Sequence, residues 1–446
     1  MSKWQDMYQA KLTTPEDIAG EVVSGDHVFA SGASSTPVAI LEALFERAVA
    51  GEIEDVLLGS FIMLADVFKV LKPELQKNIL IDNYYASPLD RKALADGLMT
   101  HTPYHFHRVT RQAVEDSGYS KLLVQAGPME KNGYLNLGLF ANYLDVVDEL
   151  EKVYVEVNDQ QPIVHGPNWL HISEIDKIVE NNHPVFALPP DPITARDQAI
   201  AEHIIDLVED GSTIQLGIGG TTNAIGELLV KKKHLGCHTE MMGDAYMKLF
   251  EAGAMDNTAK TFHPHQMLCY FGLGSQELYD WMNDNPMIYL SPISYNNEPY
   301  IVGRNNDLIS INTTLEVDIT GQCASESFGP IQYTATGGQV DFTRGAWLSR
   351  GGKAFIVTHS VVEDKETGEL ISKIVPYHRR GAIVTLTRSD VMYVATEYGV
   401  VNLRGKSLRQ RAQALLSIAH PDFRAELSDY AKEVKYFILP EHDPLS

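Results

Sequence analysis

LGIGGTTNAIGELLVKKKHLGCHTEMMGD, residues 216–244, is the stretch from which the rest of the chain can be read. It opens on a glycine-rich turn, Gly217-Ile218-Gly219-Gly220, and runs into an amphipathic helix predicted over 223–232. It ends on a lone carboxylate, Glu240, set among apolar and small residues. A strand is predicted just before the turn, over 212–216. Strand, glycine turn and helix in that order gather backbone N–H groups at a helix start, a ready setting for an anion. The turn is not a dinucleotide fingerprint. Thr222 stands where the third glycine of G-x-G-x-x-G belongs, and no acid follows a strand at the required distance. A purely structural turn remains the other reading, since glycines at such a junction also serve packing alone.

The same unit occurs earlier in the chain. A helix is predicted from the Thr14-Pro15-Glu16-Asp17 cap through Ile18, Val22 and Val23, then a strand over 27–30, a small-residue turn over 31–37 and a helix over 38–50. The second copy has a helix over 200–208, then the strand, turn and helix already described. Gly32, Ala39, Ile40, Glu42 and Leu44 meet Gly217, Ala224, Ile225, Glu227 and Leu229. A repeat of this kind implies two related halves. The proline-rich stretch 183–197 reads as their linker, giving an N-terminal domain over 1–186 and a C-terminal domain over 187–446. Further strands are predicted over 56–58, 121–125 and 152–157 in the first half, and over 287–290, 354–358 and 391–395 in the second. Strands alternating with helices at this spacing mean an α/β fold with largely parallel sheets. A last packed helix is predicted over 407–418.

Composition narrows the function classes. At 446 residues the chain is long enough for two cores. Lys and Arg number 36 against 59 Asp and Glu, a net charge of -23, which argues against nucleic acid or an anionic membrane as partner. No apolar run approaches the roughly 18 residues needed to cross a bilayer. The N-terminus carries acids early and no apolar core, so it does not read as a signal peptide. Cys237, Cys269 and Cys323 are far apart and form no CxxC pair, which disfavours a disulfide framework or a structural zinc site. A cytoplasmic, reduced setting is expected, and a homo-oligomer is compatible with it.

Several side chains compete for chemistry. By residue type alone Glu240 reads as a solvated surface acid, and Asp244, Glu326 and Asp341 rival it for any catalytic carboxylate role. The pair Gly337-Gly338 allows close backbone approach to a ligand and an N–H aimed at a developing oxyanion, or simply a tight turn. His101, His105 and His107 in HTPYHFH, and His263 and His265 in HPH, match no zinc spacing, and Pro103 and Pro264 oppose a helix that would carry both ligands. Structural or substrate-contact roles are expected for them, and no metal. Cys323 reads either as a nucleophile or as a small buried residue.

Seven segments together carry a resemblance. They are SGDHVFASGASSTP (24–37), VEVNDQQPIVHG (155–166), GIGGTTNAIG (217–226), LGCHTEMMGD (235–244), EVDITGQCASES (316–327), TGGQVDFTRGA (336–346) and EYGVVNLRGKSLRQRAQALLSIAHPDFR (397–424). The chain resembles the family I CoA-transferases, in the subgroup of 4-hydroxybutyrate and butyrate–acetate CoA-transferases and acetyl-CoA hydrolases. That likeness implies two tandem NagB/RpiA-like CoA-transferase domains. It implies Glu240 as the nucleophile that carries CoA as a thioester from an acyl-CoA to a small carboxylic acid such as 4-hydroxybutyrate or butyrate, with no tightly bound cofactor; acyl-CoA hydrolysis and a non-catalytic CoA- or sugar-phosphate-sensing module on the same fold are the alternatives. It further implies CoA contacts at Gly217, Ile218, Gly219, Gly220, Thr221 and Leu315, and a backbone contact to the thioester at Gly338. The regions holding Tyr84, Tyr85, His105 and His107 depart from the family pattern, which points to an acid more polar than butyrate or of another size if they line the acyl pocket.

Overall fold

The computed structural model describes residues 2–63, 71–141 and 143–446, without the side chains of 88 and 89. Two largely parallel sheets organise it. The first runs in the order β4-β3-β2-β1-β5-β6-β7, from β1 (His27–Ala30), β2 (Val56–Ser60), β3 (Ile79–Asn83), β4 (Met99–Thr100), β5 (Lys121–Ala126), β6 (Lys152–Val157) and β7 (Lys177–Glu180). The second runs β9-β8-β10-β11-β12-β13, from β8 (Thr213–Leu216), β9 (Gly236–Cys237), β10 (Leu308–Thr313), β11 (Lys353–Val357), β12 (Tyr393–Thr396) and β13 (Gly399–Asn402). Only the β12–β13 pair among these is antiparallel. The two copies of the repeated unit occupy equivalent places: β1 pairs with β2 and β5, and β8 with β9 and β10, all parallel.

Local chemistry explains most boundaries. Thr14 caps a helix whose first residue is Pro15, yet the helix stops at Ala19, because Gly20 closes it before the apolar Val22 and Val23 are reached. Ser407 caps the helix Leu408–Ile418 through the Gln410 N–H, with Gln410 answering in a capping box. The helix of the central stretch begins at Gly220 and ends at Leu229, earlier than the apolar pattern predicts, because Gly219 acts as its N-cap. Gly219 has φ 126°, a backbone conformation that side chains rarely adopt. Helix Lys3–Lys11, with its Ser2–Gln5 capping box, lies beyond what was predicted.

One continuous apolar core spans both halves, and Phe29, Tyr143, Ile214 and Phe355 all belong to it. Across the junction the N–H of Ala141 donates to the Tyr270 carbonyl at 3.1 Å, and that of Gly272 to the Leu139 carbonyl at 2.7 Å. Among the described residues no helix is long and apolar enough to cross a membrane. Cys237, Cys269 and Cys323 are unpaired and buried.

Candidate active site

Glu240 follows β9 through His238 and Thr239 and leads into the short strand Met241–Met242, which pairs with Phe271–Gly272. Its backbone carbonyl accepts from the N–H groups of Tyr270 and Phe271 at 2.9 and 3.2 Å. This fixes the main chain. The side chain reaches the floor of a 400 Å³ cavity between the two halves, where Ile62 and Tyr85 enter from the first half and Gly217, Leu315 and Gly338 from the second.

Two groups hold the carboxylate. Asn297 donates from Nδ2 to Oε2 at 2.6 Å, and the Gly338 N–H also favours the charged form. Gly338 is the N-cap of helix Gln339–Leu348, so the carboxylate lies at the positive end of ten aligned peptide units. A Cβ on residue 338 would sit 2.0 Å from Glu240 Oε2 and 2.6 Å from Asn297 Nδ2. Only glycine permits this approach. Against these stabilising groups stand burial, the largest influence, and the nearby Asp341; together they push the Glu240 carboxyl up to about 8. Glu240 is therefore neither a surface acid nor an ordinary one.

Asn297 is itself positioned by a buried relay. Asn305 donates to Nδ1 of His238 at 2.8 Å, and Nε2 of His238 meets the Asn296 carbonyl at 2.7 Å. Asn296 then donates to the Thr239 carbonyl at 2.7 Å and to Oδ1 of Asn297 at 3.0 Å. Burial pulls the His238 imidazole down to about 3, so it stays neutral and keeps one accepting and one donating nitrogen.

A second support crosses between the halves. Asp341, 1% exposed, accepts from the His107 N–H at 2.9 Å and meets His107 Nδ1 at 2.8 Å. Nε2 of His107 stands 3.6 Å from Glu298. His107 thus clamps the residue three places after Gly338 and the residue next to Asn297. The aromatic rings behind Glu240 pack as one group, with the Phe61 centroid 5.1–6.2 Å from those of Phe106, Phe140, Tyr270 and Phe271.

The other site candidates fall out clearly. Gly217, Ile218 and Gly219 line the Glu240 cavity and an adjoining 580 Å³ cleft as well. Gly220 and Thr221 turn inward: a Cβ on Gly220 would lie 2.7 Å from the Pro192 carbonyl, and the Thr221 hydroxyl donates to Asp197. They leave backbone N–H groups, not side chains, for a ligand. Leu315 lines the cavity. The rival acids are committed elsewhere. Asp244 accepts from Ser275, and Glu326 from Thr336 and Thr385. Tyr85 reaches the cavity, whereas Tyr84 is buried behind it and His105 stands beside His107 at 6.0 Å between ring centroids. His101 meets the Asn83 carbonyl at 2.8 Å, and His263 is held by Gln266 and Tyr295 at 2.8 Å each. Burial pushes the Cys323 thiol up, away from nucleophilic use. The proline-rich linker also contributes, through Leu188 and Asp191 on the cavity wall. Asn297 had no local signal in the sequence.

Comparison with known proteins gives a consistent set of likenesses. The acetyl-CoA hydrolase/transferase N-terminal domain matches residues 1–190, and the C-terminal domain of the same name matches residues 274–431. Succinyl-CoA:cyclohexane-1-carboxylate CoA transferase of Geobacter metallireducens is 39% identical over 97% of each chain. The 4-hydroxybutyrate coenzyme A transferase of Clostridium kluyveri is 36% identical over 97% of this chain and 99% of its own. The crystal structure of RipA from Yersinia pestis superposes with a TM-score of 0.90 at 35% identity, covering 98% of this chain and all of that one.

Proposed function

The chain belongs to the acetyl-CoA hydrolase/transferase family and is a CoA-transferase, and from that premise we propose that Glu240 carries CoA between an acyl-CoA and a small carboxylic acid such as 4-hydroxybutyrate or butyrate. The observation that carries this reading is the pairing of Glu240 with two oxyanion donors, Asn297 Nδ2 at 2.6 Å and the Gly338 N–H at the start of a helix. Residues 1–186 and 187–446 act as two units, with Tyr85 and His107 of the first completing a site built mainly by the second.

The chemistry follows from that geometry. Asn297 holds Oε2, leaving Oε1 to attack the acyl-CoA carbonyl. The C–S bond breaks, giving an acyl-glutamyl anhydride and CoA thiolate. The thiolate then adds to the glutamyl carbonyl, whose oxygen is Oε2; the collapse releases the first carboxylate with Oε1 and leaves a glutamyl-CoA thioester. The acceptor carboxylate attacks that thioester, frees CoA thiolate again, and the thiolate takes the new acyl group from the mixed anhydride. Addition to the glutamyl carbonyl puts charge on Oε2, the oxygen that Asn297 and Gly338 meet, and one such donor is worth about 3–4 kcal/mol. No general base and no resident cofactor are required, because an ionised carboxylate is the nucleophile and a thiolate the leaving group. Gly217, Ile218, Gly219 and Leu315 line the path for CoA, with the Gly220 and Thr221 N–H groups at the helix start behind them.

Acyl-CoA hydrolysis is the second reading, supported by the family description: water in place of the acceptor acid would discharge the thioester. Release of free CoA with and without an acceptor acid separates the two, and transfer that outpaces hydrolysis supports the first. The partners are small molecules, with no nucleic acid or membrane, and three free thiols suit a reducing cytoplasm.

A further inference from the structure

The Glu240 cavity carries two cations, Arg91 from the first half and Lys373 from the second. Arg91 lies in the first turn of helix Pro88–Ala95. Its Nη1 donates to the Tyr333 hydroxyl at 2.9 Å, and the guanidinium lies 4.3 Å over the Tyr333 ring. Its Nε is buried without a hydrogen-bond partner, and among the described residues no carboxylate hydrogen-bonds to the side chain, the adjacent Asp90 attracting it only through space. The neighbouring Asp90 accepts instead from the Ser87 N–H at 2.6 Å. A guanidinium held by stacking and one neutral hydroxyl has unused donors in a fork that fits a carboxylate edge. Leaving such a donor buried and unmatched is costly, and an anionic ligand would remove the cost.

Tyr85 links this cation to the nucleophile. It lines the same cavity as both Arg91 and Glu240, and its ring stands 3.0 Å from where a Cβ on Gly337, beside Gly338, would lie. Burial pushes its hydroxyl up to about 12, so it stays a neutral donor at physiological pH. Lys373 lines the same cavity from the second half, its main chain fixed by the Val317 N–H at 2.8 Å, and burial pulls its ammonium down to about 8.

We propose that Arg91, with Tyr85 and Tyr333, forms a subsite for a second carboxylate, so that among the small acids this chain handles a dicarboxylate is preferred: one carboxyl reacts at Glu240 and the distal one rests on Arg91. The proposal rests on the reading of Glu240 as nucleophile. Phosphate groups of CoA offer similar anionic oxygens, but the whole pantetheine arm separates them from the thioester that reacts at Glu240, whereas Arg91 and Glu240 share Tyr85 as neighbour.

The test compares succinate, butyrate and 4-hydroxybutyrate as acceptors from one acyl-CoA donor, in the wild type and in Arg91→Met, Arg91→Lys and Lys373→Met. Wild-type kcat/KM for succinate should exceed that for butyrate by at least about tenfold, the range of a hydrogen-bonded charge pair. Arg91→Met should collapse the succinate-to-butyrate ratio by roughly tenfold to a hundredfold, and Arg91→Lys by less. A wild type that prefers butyrate or 4-hydroxybutyrate overturns the proposal, whatever the variants do. So does a succinate preference that survives Arg91→Met or disappears in Lys373→Met. An acyl-pantetheine donor, which lacks phosphates, provides the remaining arm. If Arg91→Met slows acyl-CoA but not acyl-pantetheine with a common acceptor, Arg91 serves the CoA phosphates and the proposal fails. Labelling of Glu240 by acyl-CoA alone, measured in parallel, shows whether a failure belongs to Arg91 or to the reading of Glu240.

Discussion

The position of Glu240 makes its reactivity strongly dependent on pH. The carboxyl is pushed up to about 8, by burial first and by Asp341 second, against the opposing pull of Asn297 and Gly338. Only the ionised form attacks. With a pKa near 8, roughly one carboxyl in eleven is ionised at pH 7 and roughly ten in eleven at pH 9. Glutamyl-CoA formation at limiting acyl-CoA should therefore rise about tenfold over that interval, because kcat/KM reports ionisation in the free enzyme. The assay is rapid-quench mixing with acyl-CoA in the absence of acceptor, scoring released free acid at each pH. Asp341→Asn removes a buried like charge and should move the inflection to lower pH. Asn297→Ala removes a donor that favours the charged form and should move it higher. A rate that is flat from pH 6 to 9, with its only fall near the ordinary carboxylate range, would refute the reasoning.

Gly338→Ala drives a methyl to 2.0 Å from Glu240 Oε2; turnover should fall about 100-fold to 1000-fold with a smaller change in KM for acyl-CoA, as for loss of one oxyanion donor. Asn297→Ala should cost a similar factor in kcat, read in the same steady-state assay. His107→Ala frees Asp341 and the segment after Gly338; kcat should drop about tenfold while KM for acyl-CoA holds, the size of one lost hydrogen bond to a buried charge. Glu240→Gln tests the cost of the buried acid by denaturant unfolding. Because the folded pKa of about 8 exceeds the unfolded 4.5, the stability contributed by protonated Glu240 is full below pH 4.5 and lost as pH rises through 8. Glu240→Gln should therefore gain on the wild type across that window, by up to about 5 kcal/mol at 1.36 kcal/mol per pH unit; an equal loss of stability in both proteins would contradict the buried-acid assignment.

The order of elements was legible where period and punctuation agree. The repeated strand, turn and helix rests on Gly32 and Gly217 and on apolar residues at matching positions, and both copies occupy equivalent places in their sheets. Leu308–Thr313, a central strand of the second sheet, is not marked as a strand in the sequence, because the buried polar residues Ser310 and Asn312 break up its apolar run. The β12 strand begins at Tyr393, two residues later than the apolar run suggests, because it forms a hairpin with Gly399–Asn402 whose register sets its ends. At the site, residue type could not tell Glu240 from a surface acid. What distinguishes it comes from far along the chain: Asn297 and Gly338 meet it once the second half has folded, and Tyr85 joins them from the first. The His107–Asp341 contact is of the same kind, joining a histidine from an unpatterned turn to an acid 234 residues away.

Peptide-level mass measurement after incubation with acyl-CoA and no acceptor tests the central claim most directly. The expected result is CoA attached to the peptide containing Glu240, lost after addition of an acceptor acid and absent from Glu240→Gln. A wild type that turns over without ever carrying CoA on that peptide, or a Glu240→Gln protein that transfers at the wild-type rate, would contradict it.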